Sequence, residues 1–139
     1  MDFNPNIARE KIMSHYMNPD NKNSDLSKDG EVHFSTTCSD KLILKTHFVD
    51  DKLTDVYFDG HGCAIFIAST DMLLNVLKNK TKDQIQKIID IYTRFVMQEK
   101  LTQDELTLLE DLWVFYNVKT HLNRTTCALL TANKILNNN

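Results

Sequence analysis

Glycine is scarce in this sequence. Three occur in 139 residues, and two of them, Gly60 and Gly62, stand together in the stretch DGHGCAIFIAST, directly before Cys63. No basic block is present and the net charge is −3, so the composition lacks the electrostatic footprint of a nucleic-acid binder. The longest apolar run falls far short of a membrane span, and no membrane partner is expected. The opening residues, MDFNPNIARE, carry neither a charged n-region nor an apolar h-region, so no secretory signal is read there. The expected setting is a reducing cytoplasm, where disulfides are rare. Cysteine is sparse too. Cys38, Cys63 and Cys127 are odd in number and far apart, and without a CxxC pair they do not match an ordinary zinc ribbon. Plain burial, a reactive thiol and metal ligation stay open for them.

What is present suits a globular chain: 42% hydrophobic and 25% charged residues place it in the ordinary composition range. The length predicts a single domain over residues 1–139, with a real core. Residues 6–18 space Ile7, Ala8, Ile12, Met13, Tyr16 and Met17 as a helix would, and Pro19 stops it. Residues 19–30 are polar and turn-rich, which predicts a surface loop. From Glu31 the period changes. EVHF, KLILKTHFV and LTDVYFD read as strands, the last two joined as an antiparallel hairpin through Asp50, Asp51 and Lys52.

After Gly62 the pattern is helical. Residues 64–77 are apolar on most sides, as in a central buried helix. Thr81 to Gln84 and Thr102 to Glu105 have the form of capping boxes, the second leading into Leu106, Leu109 and Leu112. A last helix is expected over about residues 122–136. The predicted class is α+β: a small three-stranded antiparallel sheet, with an N-terminal helix and about four C-terminal helices packed on one face.

Cys63 then falls at a strand-to-helix turn. A helix N-terminus favours negative charge, so a thiol placed there is pushed towards thiolate, the form that binds metals and attacks electrophiles. Cys38 lies in a strand link with Asp40 two residues on, and Cys127 follows Arg124 by three near another helix start. Three thiolates and a carboxylate would make a reasonable tetrahedral set for zinc or for iron.

The set Cys38-x-Asp40, Gly60-x-Gly62-Cys63 and Arg124-x-x-Cys127 resembles the U-type iron–sulfur cluster assembly proteins, the IscU/SufU/NifU N-terminal family. The resemblance runs over almost the whole chain. His15 to Asn21, HYMNPDN, is similar to the HYxNPRN segment that ends the family's first helix, and Ile67-Ala68-Ser69 matches the residues that follow its second cysteine. Thr126 stands where IscU proteins carry a histidine, and the residues before Cys127, LTLLEDLWVFYNVKTHLN, look like the extra segment of the SufU branch. Two positions depart from the pattern: Ser39 replaces the glycine of C-G-D, and Asp20 replaces an arginine, reversing the charge at that position.

The resemblance implies Cys38, Asp40, Cys63 and Cys127 as ligands, for zinc or alternatively for iron or a [2Fe–2S] cluster, with Arg124 as electrostatic support. It also implies a pyridoxal-phosphate cysteine desulfurase as sulfur donor and a downstream iron–sulfur acceptor or assembly protein as recipient. Cys38 is the favoured persulfide acceptor and Cys127 the alternative. The activity would be at most a zinc-dependent sulfurtransferase, and otherwise that of a non-enzymatic scaffold. Two other readings compete. A cysteine-dependent hydrolase built on Cys63, Asp40 and one of His33, His47, His61 or His121 would need an orienting group and an oxyanion hole, and no local signature supplies either. A zinc-stabilised interaction module would use the same ligands without sulfur chemistry.

Overall fold

A computed structural model describes residues 2–25, 30–35, 39–122 and 124–137, without the side chains of residues 121 and 122. Cys38 and the His121 side chain therefore lie outside the described residues. The helix α1 spans Pro5–Met17; Asn4 caps it by accepting from the amides of Asn6 (3.0 Å) and Ile7 (3.1 Å), and Pro5 fills a first-turn position that needs no amide. Three strands follow, β1 (Glu31–Phe34), β2 (Lys41–Val49) and β3 (Lys52–His61), antiparallel in the order β1-β2-β3. Asp50 (φ 50°) and Asp51 (φ 70°) turn the hairpin with both central residues left-handed, the geometry that matches strand twist. The α+β expectation holds, with β3 running two residues beyond the expected end so that Gly60 belongs to the strand.

The inner sheet face presents Leu42, Leu44, Leu53, Val56 and Phe58 to a core shared with the helices. Against it lies α2 (Ala64–Leu77), buried along nearly its whole length, as its apolar sequence predicts. The amphipathic α3 (Lys82–Val96) lays its apolar face on the same core and begins with a complete Thr81/Gln84 capping box.

The second box, Thr102/Glu105, is also complete, and Arg94 pairs with Glu105. Thr102's amide and the Arg94 guanidinium hold the Glu105 carboxyl below its usual range. The helix it starts, α4, is short, Gln103–Leu108, where the leucine spacing suggests a run to Leu112. Glu110 takes a left-handed φ of 50°, and Glu110–Phe115 continues as a 3-10 turn that buries Leu112, Val114 and Phe115; core packing overrides helical continuity. Val118–Leu122 forms a π turn, so the last helix, α5, starts at Thr125 and runs to Lys134, followed by a 3-10 turn over Ile135–Asn137. Among the described residues no helix is long and apolar enough to cross a membrane.

The expected surface loop 19–30 is corrected at its start. Asn21 is buried, and its carbonyl and the amide of Asn23 bond to the Phe58 backbone at 3.0 and 2.8 Å, a short parallel bridge on β3. What holds this segment is Asp71, a fully buried carboxylate in the middle of α2. Its Oδ1 accepts from the Asn21 amide (2.8 Å) and Nδ2 (3.0 Å), and its Oδ2 from the Asp20 amide (3.0 Å) and faces His15 Nδ1 at 2.6 Å. His15 is half-buried in this staple. Asp20, the charge-reversed position, accepts from Asn75 Nδ2 at 2.9 Å and is itself part of it. Replacing Asp71 by Ala strips acceptors from two backbone amides, an amide side chain and an imidazole. The expected loss in urea unfolding is about 3 kcal/mol or more, against about 1 kcal/mol for the cap change Thr81→Ala.

Candidate metal centre

The last residue pair of the hairpin is Lys41 with His61. One step beyond it the chain places Asp40 beside Gly62, and the next residue, Cys63, is the N-cap of α2. Cys127 comes from the first turn of α5, which packs along α2. Ligand atoms of Asp40, Cys63 and Cys127 all lie within 4.8 Å of one another. Three elements distant in sequence therefore bring two thiols and a carboxylate to one point. Cys63 is half-buried and Cys127 fully buried, and neither forms a disulfide.

The glycines have separate reasons. Gly60 has φ +128°, and a Cβ there would stand 1.9 Å from the Lys41 carbonyl oxygen. Gly62 has no such backbone demand. A Cβ at Gly62 would fall 2.2 Å from Asp40 Oδ1 and 2.7 Å from Phe66 Cδ2, so this glycine clears the space the carboxylate occupies.

Asp40 is only 2% exposed. Its Oδ1 accepts from the Cys63 amide at 3.1 Å, tying the carboxylate to the start of α2. Its Oδ2 is buried and has no hydrogen-bond partner among the described residues. A buried, unanswered carboxylate oxygen is costly, and a cation is what two neighbouring thiols would share with it. The sulfur and oxygen donors fit zinc, or iron, in a tetrahedral set. Arg124 is the N-cap of α5, with its side chain exposed, three residues before Cys127. His15, Asp20 and Asp71 also cluster within 4.8 Å, but both Asp71 oxygens are already engaged, so that group is a structural staple.

The sequence pointed to Asp40, Cys63 and Cys127 and passed over Asp71. The signal was there: one carboxylate inside an otherwise apolar helix must find partners.

Fold and donor set together define an α+β protein with a thiol–carboxylate cluster at the joint of sheet and helices. The chain matches the family model for the NifU-like N-terminal domain over residues 7–127, and it belongs to that family. It is 31% identical over 137 residues to the zinc-dependent sulfurtransferase SufU of Bacillus subtilis, covering 94% of this chain and 90% of that protein. It is 37% identical over 71 residues to the iron–sulfur cluster assembly scaffold protein IscU of Streptococcus pyogenes, covering 50% and 45% of the two chains. The crystal structure of a putative iron–sulfur cluster assembly scaffold protein for the SUF system from Fervidobacterium islandicum superposes with a TM-score of 0.72 at 28% identity, covering 89% and 90%.

Gly62→Ala is expected to displace Asp40 and weaken zinc retention about tenfold in a chelator competition. Gly60→Ala, which meets backbone rather than a side chain, is expected chiefly to lower the unfolding midpoint.

Proposed function

We propose that this chain, working as one domain over residues 1–139, is a zinc-holding sulfur-relay protein of iron–sulfur cluster assembly, with Cys38, Asp40, Cys63 and Cys127 as its ligands. The observation that carries the reading is the convergence of Asp40, Cys63 and Cys127 with an unanswered carboxylate oxygen among them. Cys38 joins the set because Cys38-x-Asp40 resembles the family's first ligand turn. Zinc is favoured over iron by the naming of the SufU relative, which aligns along nearly the whole chain, and by Thr126 in the place of a histidine. When bound, zinc keeps the thiols deprotonated and their lone pairs engaged until a ligand is released.

The donor is a persulfide on a cysteine desulfurase, and the recipient is a later iron–sulfur assembly protein. A reducing cytoplasm would keep the thiols free for this work. A thiolate of this chain attacks the terminal, sulfane sulfur of the donor persulfide. The donor's S–S bond breaks, a new S–S bond forms here, and the electron pair leaves on the donor thiolate, with no net oxidation. Cys38 is assigned as the attacking thiol, since Cys127 is fully enclosed and Cys63 is fixed at a helix start. Arg124 would steady the anionic product. A second reading, assembly of a [2Fe–2S] cluster on the same ligands, is supported by the scaffold naming of the IscU relative and of the Fervidobacterium structure.

Metal and labile sulfide analysis of protein prepared without oxygen separates the two. The relay reading predicts about one zinc per chain and no labile sulfide, while stoichiometric iron and sulfide would contradict it. After turnover with a cysteine desulfurase and cysteine, mass spectrometry is expected to find a 32 Da adduct per sulfur atom gained on Cys38 (~32 Da, the mass of the transferred sulfur). Persulfide retained in Cys38→Ser would remove that assignment.

A further inference from the structure

The two described thiols ride on different helices, so their spacing depends on how α5 is set against α2. The two helices pack together and share one apolar core, to which α2 gives Phe66 and Leu73 and α5 gives Ala128 and Leu129. Apolar contact is non-directional and fixes no register by itself. Four buried hydroxyls add direction. Thr70 Oγ1 and Thr131 Oγ1 are 2.6 Å apart, with both residues about 2% exposed or less. Tyr92 donates its hydroxyl to the Ala128 carbonyl at 3.1 Å, and burial pushes its phenol pKa up, so the proton stays in place to donate. Ser69 Oγ donates to the Phe66 carbonyl at 3.2 Å, with the Cys127 carbonyl at 3.5 Å.

The threonines are placed by helical period. Thr131 lies one turn after Cys127 on α5, and Thr70 two turns after Cys63 on α2, so each shares a helix face with its thiol. We propose that the Thr70–Thr131 hydroxyl pair is a positioning device that sets the separation of the Cys63 and Cys127 sulfurs. The proposal rests on the metal-centre reading above. A buried hydroxyl pair adds little net stability over an apolar pair of the same shape, so its effect is on register rather than on folding.

The test compares wild type, Thr131→Val, Thr70→Val/Thr131→Val and Thr70→Ser/Thr131→Ser. Readouts are the unfolding midpoint of the metal-free chain, zinc affinity by chelator competition, and the visible spectrum of the cobalt(II) form. The single valine variant, with one hydroxyl left unanswered, is expected to unfold earlier and hold zinc less well. The double valine variant is expected to recover a near wild-type midpoint yet bind zinc about tenfold more weakly, with shifted cobalt bands. The double serine variant keeps both hydroxyls and should bind as wild type does. A double valine variant with wild-type affinity and spectrum overturns the proposal, as does a double serine variant that loses as much affinity as the double valine. If wild type binds neither ion, the metal-centre reading itself fails and takes this proposal with it, a result distinct from an unaltered double valine variant.

Discussion

Asp40 is buried where β2 begins, and its carboxylate can stay there only if both oxygens are answered. One oxygen takes the Cys63 amide and so fastens the sheet to the first turn of the central helix. The other faces no protein donor among the described residues and lies beside two thiols. The same residue thus belongs to the fold through Oδ1 and to the site through Oδ2. Gly62 is tied to this arrangement because any side chain there would occupy the carboxylate's place.

A second buried carboxylate, Asp71, shows the contrast between a closed polar cluster and an open one. Backbone amides, an asparagine and an imidazole engage both of its oxygens, and it holds the chain after α1 against α2. Both carboxylates sit on or against α2, which is buried along nearly its whole length. Low polarity there makes each unpaired oxygen expensive: Asp71 is saturated by protein, while among the described residues Asp40 leaves one oxygen open beside two thiols.

The fold was legible where local chemistry and burial agree. The alternation in KLILKTHFV, the two capping boxes and the near-continuous apolar run after Cys63 each gave the element that forms. Legibility failed where distant partners decide. Residues 19–23 look like solvent-exposed turn because their polarity is answered by Asp71 and Phe58, fifty and more positions away in sequence for the former and over thirty for the latter. The leucines after Thr102 keep a helical spacing, yet the chain breaks at Glu110 to bury Leu112 and Phe115. For the site, the thiols and Asp40 could be named from the sequence, but the separate tasks of Gly60 and Gly62 depend on where Lys41 and Asp40 end up.

X-ray absorption at the zinc edge of the loaded protein tests the central claim most directly, because it reads the donors around the ion. Shared ligation by the three cysteines and Asp40 predicts three sulfurs at about 2.3 Å and one oxygen at about 2.0 Å. A shell of nitrogen and oxygen without sulfur would contradict it.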